Sequence, residues 1–203
     1  MKIGHGESEL AWGAIKLMQL IQKDLEGVFE ILLNPITDKR GYFMRVYDQK
    51  VFDNNFLKNG WVQENQSLSK EIYTLRGLHF QLPPYCEAKL IRVLRGKILD
   101  VYVDLRKGSQ TFGKWGSAEI SSHQNNMLLI PRGFAHGFLT LEENTEVCYK
   151  VDNFYSPEYE QGIIWNDDSL NINWYCENPI LSDKDKKQQT FKEFVSRYKS
   201  INI

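Results

Sequence analysis

The chain has 203 residues, 42% of them hydrophobic and 25% charged, enough for one domain with a sizeable core and too apolar for a disordered chain. Its 25 Lys and Arg against 26 Asp and Glu leave a net charge of -1, so no global positive field draws it to nucleic acid or anionic lipid. No apolar run in it reaches the roughly 18 to 20 residues of a membrane span.

Residues 1–17 carry no clear period and read as an N-terminal extension and a candidate for disorder, with Met18 a candidate natural start. Acidic Glu7 and Glu9 precede the moderately apolar run from Trp12 to Ile21, Lys16 interrupts it and no small-residue cleavage site follows, so no signal peptide is expected. The three cysteines, Cys86, Cys148 and Cys176, are widely spaced and lack a C-x-x-C pair, which fits neither a disulfide framework nor a zinc knuckle. A cytoplasmic setting and a single domain over residues 18–203 are expected.

From Gln19 onward strand-like runs recur with turn residues between them: Val28 to Leu33, Lys89 to Leu94, Ile98 to Leu105, Met127 to Ile130, Phe138 to Leu141 and Glu146 to Val151. That spacing is all-β. In the strongest run Leu99, Val101, Val103 and Leu105 alternate with Asp100, Tyr102, Asp104 and Arg106, which predicts a strand with one buried face. Arg95-Gly96-Lys97 reads as its hairpin turn, while Asn34-Pro35, Pro83-Pro84 and Pro131-Arg132-Gly133 punctuate loops. Helix is expected at the edges only: a short turn over Val51 to Leu57, and an amphipathic helix from Lys184 to Ser200, where Phe191, Phe194, Val195 and Tyr198 fall at i, i+3, i+4 and i+7.

Two of the four histidines sit in apolar company: His79 in Leu75-Arg76-Gly77-Leu78-His79-Phe80-Gln81, and His136 in Pro131-Arg132-Gly133-Phe134-Ala135-His136-Gly137-Phe138. A histidine in such a place is either a base with a tuned environment or a core residue with satisfied nitrogens. The Pro131-x-Gly133-x-x-His136 run resembles the second motif of the cupin superfamily, a β-jelly roll. The first cupin motif would supply His-x-His, but Gln81 stands at the partner position of His79. Zinc and non-haem iron need three protein ligands, so a metal-free cupin is expected. A metal-dependent cupin oxygenase is the rival from another reaction class, and a non-catalytic sugar-nucleotide-binding jelly roll is a second.

Asp38-Lys39-Arg40-Gly41-Tyr42-Phe43, Gln63-Glu64-Asn65-Gln66-Ser67, Leu75 to Gln81, Lys89-Leu90-Ile91-Arg92, Asp100 to Arg106, Gly133 to Phe138, Tyr149-Lys150 and Trp165-Asn166-Asp167 together resemble, in order and spacing, the dTDP-4-dehydrorhamnose 3,5-epimerase family. The resemblance runs from about Met18 to Asp185. It implies a mainly β, cupin-type jelly roll with a C-terminal helix. The implied enzyme is a cofactor-independent, metal-free epimerase that inverts C3, C5 or both in a nucleotide-linked 4-keto-6-deoxy-hexose for deoxysugar and polysaccharide biosynthesis. It also implies a homodimer that exchanges N-terminal strands. Protons α to the C4 ketone are too weakly acidic for an unassisted base, so the chemistry needs a base, an enolate stabiliser and an acid on the opposite ring face. The resemblance puts the base on His79, its orienter on Asp185, the enolate stabiliser on Lys89 and the acid on Tyr149.

It further implies pyrophosphate contacts from Arg40 and Arg76, sugar or phosphate contacts from Gln63 and Asn65, and base contacts from Phe43 and Phe154. Glu160 and His136 complete the substrate-binding set, His136 also as a support for His79. Arg45 stands where the family usually carries a glutamate near the base. Arginine can only donate where glutamate accepts the thymine N3-H, which leaves room for CDP or GDP sugars. Residue types alone allow plainer readings. Ser182-x-x-Asp185 is also a helix-capping pattern, Asp183 is a rival orienter, Lys89 could be a solvated strand-end lysine, and Tyr149 could belong to the core.

Overall fold

The structure, a computed structural model, describes residues 11–12, 15–50, 52 and 60–203. In chain order its strands are β1 (Ala11–Trp12), β2 (Ile15–Lys16), β3 (Met18–Gln22), β4 (Phe29–Leu33), β5 (Ile36–Asp38), β6 (Gly41–Phe43), β7 (Gln63–Ser69), β8 (Leu75–Gln81), β9 (Lys89–Arg95), β10 (Lys97–Asp104), β11 (Trp115–Ser121), β12 (Asn126–Ile130), β13 (Phe134–Thr140), β14 (Thr145–Val151) and β15 (Glu160–Gly162). Two antiparallel sheets carry the fold, a six-stranded one in the order β3-β4-β12-β9-β14-β7 and a five-stranded one in the order β11-β10-β13-β8-β15. This is the jelly roll that the resemblance implied. All six runs read as strands lie in β4, β9, β10, β12, β13 and β14. Among the described residues no helix is long and apolar enough to cross a membrane.

Three apolar clusters stack the layers. Ile91, Val93, Leu128 and Val147 of the six-stranded sheet meet Ile98, Tyr102, Ile120 and Phe138 of the other between the sheets. Met18, Ile31, Leu90 and Leu129 pack with Phe52 and Trp61 behind the six-stranded sheet. Leu78, Leu99, Val101, Val103 and Leu139 pack with Ile163, Trp174 and Phe194 of the C-terminal segment behind the five-stranded sheet.

This layering corrects the reading of β10. Its apolar residues face the C-terminal layer, but its polar face is buried as well: Asp100, Tyr102 and Asp104 are at most 1% exposed. Alternation here marks two buried faces, one against the C-terminal layer and one between the sheets, where Ile98 and Tyr102 join the apolar cluster, and not core against solvent. Arg95-Gly96-Lys97 is not a hairpin turn either. β9 pairs with β12 and β14, whereas β10 pairs with β11 and β13, so the turn carries the chain from one sheet to the other. Gly96 has φ +82°, and a Cβ there would lie 2.4 Å from Thr145 Oγ1; glycine alone fits the crossing.

The C-terminal helix, α1, spans Phe191–Tyr198 and is preceded by a single 3-10 turn at Asp185–Lys187. The expected start at Lys184 fails because Gln188 and Thr190 are extended and Gln189 bridges to Ile163. Thr190 then opens the helix with a reciprocal capping box to Glu193. Gln49 and Lys50 are helical, and Phe52 apart, the run from Val51 to Leu57 lies outside the described residues. So does most of the N-terminal extension, although Leu17 is already buried.

Candidate active site

Local backbone geometry sets the first pair of functional side chains. A Cβ on Gly77 would lie 2.5 Å from Gly137 Cα, so β8 and β13 approach through two glycines, and the register shifts between His136 and Phe138. After that shift His79 stands directly opposite His136.

His79 Nε2 lies 2.6 Å from Asp185 Oδ1. Asp185 is buried, its Oδ2 accepts from Ser182 Oγ at 2.9 Å, and its amide donates to that same hydroxyl at 3.1 Å. Burial alone would raise the Asp185 pKa, but the hydrogen bond and charge of His79, the Ser182 hydroxyl and the Lys184 charge outweigh it and hold the carboxyl below its ordinary range. Ser182 does accept the Asp185 amide as a capping serine would, but the Asp185 carboxylate turns to His79 and the Ser182 hydroxyl. Asp183, the rival orienter, is 92% exposed at its side chain and among the described residues reaches Lys186, not His79.

The lowered Asp185 pKa has a testable sign. Its stabilisation is full above the ordinary carboxylate value of 3.8 and is lost as pH falls through the lower folded-state value. The stability gap between wild type and Asp185→Asn in denaturant melts should therefore shrink as pH falls below about 4. Turnover in this variant should fall by up to about 10⁴, the loss seen when the His-orienting aspartate of a serine-protease triad is amidated. A gap independent of pH, with wild-type turnover, would contradict the dyad.

His136 Nε2 lies 2.9 Å from Asp100 Oδ2. Full burial pushes the Asp100 pKa up against the opposing pull of His136 and Lys89. The other oxygen, Oδ1, has no hydrogen-bond partner among the described residues. From the facing sheet Tyr149 stands beside Asn65 on β7 and Ile91 on β9, and Lys89 Nζ lies 5.7 Å from the Tyr149 ring centroid. The Lys89 side chain is only 12% exposed, so it is not a solvated strand-end lysine. A cavity of about 450 Å³ brings His79, Asp185, His136, Lys89, Tyr149 and Arg76 together. Arg76 is steadied by Ser69 Oγ and the Leu68 carbonyl, both at 3.2 Å.

The remaining candidates lie outside that lining. Gln63 Oε1 accepts from the Tyr155 amide at 2.7 Å. The Tyr155 hydroxyl donates to Glu160 Oε2 at 2.6 Å, and Lys184 Nζ sits 2.6 Å from Glu160 Oε1. The bond to Glu160, with burial, pushes the Tyr155 pKa up to about 12. Burial would raise the Glu160 pKa, but Lys184, Tyr155 and the charge of His79 bring it down. Phe154 and Tyr155 are both exposed, so the sequence reading chose one of two adjacent aromatics, and only Tyr155 is hydrogen-bonded to Gln63 and Glu160. Arg40 pairs with Asp38 at the tip of the isolated β5–β6 hairpin, where Tyr42 and Phe43 are 65% and 59% exposed. Arg45 pairs with Asp48 at 3.0 Å.

Asp100, Ser182 and Lys184 were missed as functional candidates. Asp100 was visible as an acid inside an apolar strand and was read as solvent-facing. Among the described residues no three His, Cys, Asp or Glu side chains gather to hold a metal ion. Gln81, at the position of the missing cupin histidine, donates to Glu87, Tyr85 and Phe154 and accepts from the Ser156 amide.

A jelly roll with a His-Asp pair on one wall of a cavity, and a lysine and tyrosine on the other, defines a class of proton-transfer site. Comparison narrows it. A family model described as dTDP-4-dehydrorhamnose 3,5-epimerase matches residues 22–193. The dTDP-4-dehydrorhamnose 3,5-epimerase of Shigella flexneri is 45% identical over 175 residues, 86% of this chain and 96% of that protein. The crystal structure of the Bacillus anthracis dTDP-4-dehydrorhamnose 3,5-epimerase with TDP and PPi bound superposes with a TM-score of 0.83 at 42% identity, covering 86% of this chain and 99% of that one. The Legionella pneumophila dTDP-6-deoxy-D-glucose-3,5-epimerase in complex with dTDP-4-keto-L-rhamnose gives 0.82 at 34% identity, over 86% and 93%. The chain belongs to the dTDP-4-dehydrorhamnose 3,5-epimerase family, and by that membership it is an isomerase.

Proposed function

We propose that the chain inverts C3, C5 or both of a nucleotide-linked 4-keto-6-deoxy-hexose, with dTDP-4-dehydro-6-deoxyglucose as its first candidate substrate. The observation that carries this reading is the opposition of His79 on one sheet, backed by Asp185 of the C-terminal segment, to Lys89 and Tyr149 on the other, across a single cavity. His79 takes the proton from the carbon α to the ketone, with Asp185 fixing its tautomer. Lys89 stabilises the enolate oxygen with its ammonium. Tyr149 gives its hydroxyl proton to the opposite ring face, and solvent later restores both side chains. His136 supports the sugar, and Arg76 reaches for the diphosphate with a guanidinium fork suited to phosphate oxygens.

The exposed β5–β6 hairpin places Arg40 and Phe43 away from this chain's own cavity. The reading accounts for them through a cytoplasmic homodimer in which each hairpin completes the other copy's nucleotide site. Incubation of dTDP, CDP and GDP 4-keto-6-deoxy sugars with the enzyme in D2O, followed by NMR, should show deuterium at C3, C5 or both in one nucleotide series. Arg45→Glu should shift kcat/KM toward the dTDP sugar by restoring an acceptor for the thymine N3-H. Deuterium in none of the sugars would overturn the reading, and unchanged preference in the variant would remove Arg45 from the base site.

A further inference from the structure

Glu87 has no part in the mechanism above. It lies between β8 and β9, two residues before Lys89, with its side chain only 10% exposed. Both carboxylate oxygens are engaged: Oε1 accepts from Lys89 Nζ at 2.6 Å, and Oε2 accepts from Gln81 Nε2 at 2.7 Å. Gln81 is itself pinned to main chain, through the Ser156 amide at 2.6 Å and the carbonyls of Tyr85 and Phe154 at 3.0 and 3.2 Å. A lysine is a compact charge on a flexible four-carbon stem, and its own backbone does not decide where the ammonium rests. Here the far end is tied to a carboxylate that is tied in turn, through Gln81, to the backbone of residues 85, 154 and 156. The result is an ammonium held beside the Tyr149 ring, 5.7 Å from its centroid.

We propose that Glu87 is a positioning residue that fixes the Lys89 ammonium where the enolate oxygen forms. This rests on Lys89 as the enolate stabiliser. A charge effect alone would act in the opposite direction, since a carboxylate beside the ammonium lowers the positive charge offered to the oxyanion. Position and charge are therefore separable by substitution. Glu87→Gln removes the charge and keeps one acceptor oxygen for Lys89, but turns its NH2 group onto the Gln81 Nε2 donor, so it holds the Lys89 contact and loses the one to Gln81. Glu87→Asp keeps the charge and withdraws it by one methylene.

The test measures kcat, KM and solvent-deuterium incorporation for Glu87→Ala, Glu87→Asp, Glu87→Gln and Lys89→Met, with activity expressed per folded enzyme. Ala and Asp should each lower kcat by about 10- to 100-fold with KM within about threefold, as displacement of a catalytic group by about 1 Å can do. Deuterium incorporation should fall in parallel, because enolate stabilisation serves the deprotonation step. Glu87→Gln, which keeps the acceptor for Lys89, should retain more kcat than Glu87→Ala. Wild-type kcat in Glu87→Ala beside an inactive Lys89→Met overturns the proposal, as does rescue by Asp but not Gln, or a lowered melting temperature with unchanged kcat. Wild-type turnover in Lys89→Met overturns the reading of Lys89 itself and the proposal with it.

Discussion

His79→Asn should lose epimerisation by about 10³-fold or more while the melting temperature stays near that of wild type, because asparagine can still hydrogen-bond to Asp185 but cannot take a proton at neutral pH. The His79 side chain lines the cavity and is 29% exposed, so its replacement opens no void in the apolar clusters. Asp185 keeps the Ser182 hydroxyl at 2.9 Å. The loss should fall on the chemical step, with kcat and kcat/KM reduced together. Deuterium incorporation from D2O should vanish as well, since the reading gives proton abstraction to His79 alone. Survival of incorporation at the wild-type rate would move the base to His136, the histidine directly opposite on β13.

Much of this architecture was legible because β-strand period and turn residues survive in a single sequence. The six runs read as strands are apolar enough to advertise themselves. β7 and β11 were not, since Gln63-Glu64-Asn65-Gln66-Ser67 and Trp115-Gly116-Ser117-Ala118-Glu119 carry few apolar residues. β7 is an edge strand that contributes Ser67 to the cavity lining, and its pairing with β14 is a long-range fact. β8 was read for its motif and not as a strand, because Gly77 interrupts its period where the chain bulges to aim His79.

The site divides in the same way. Motif order named His79, Lys89, Tyr149 and Asp185, but not what holds them. The Asp185–Ser182 contact looks like a cap in one dimension, and only the placement of β8 against the 182–187 segment shows the carboxylate turned to the imidazole. Glu87 was invisible for a different reason. An acid two residues from a lysine on an exposed strand is a routine surface pair, and its burial depends on Gln81, six residues earlier, folding its amide over the same carboxylate. Both buried carboxylates on β10 follow this rule: Asp100 serves His136, and Asp104 serves Arg106, Ser109 and Thr111.

Tyr149→Phe separates the two halves of the reaction. Tyr149 packs against the apolar cluster between the sheets, and phenylalanine preserves that packing and the ring beneath Lys89 while it removes the hydroxyl. The base on the opposite wall is untouched, so the α-proton can still leave and the enolate can still form. Without a donor on the far face the enolate is reprotonated by His79 on the face it came from, and configuration is retained. In D2O, deuterium should therefore enter C3 or C5 of unconverted substrate faster than epimerised product accumulates, provided that His79 exchanges its proton with solvent during the lifetime of the enolate. Product formation should fall by about 10² to 10⁴, the contribution of one positioned general acid. This pattern is the reverse of His79→Asn, where incorporation and inversion disappear together, and the two variants measured side by side fix which wall starts the reaction and which one finishes it. If Tyr149→Phe formed product at the wild-type rate, Tyr149 would be a core residue and the donor would have to lie elsewhere on the β7, β9 and β14 wall.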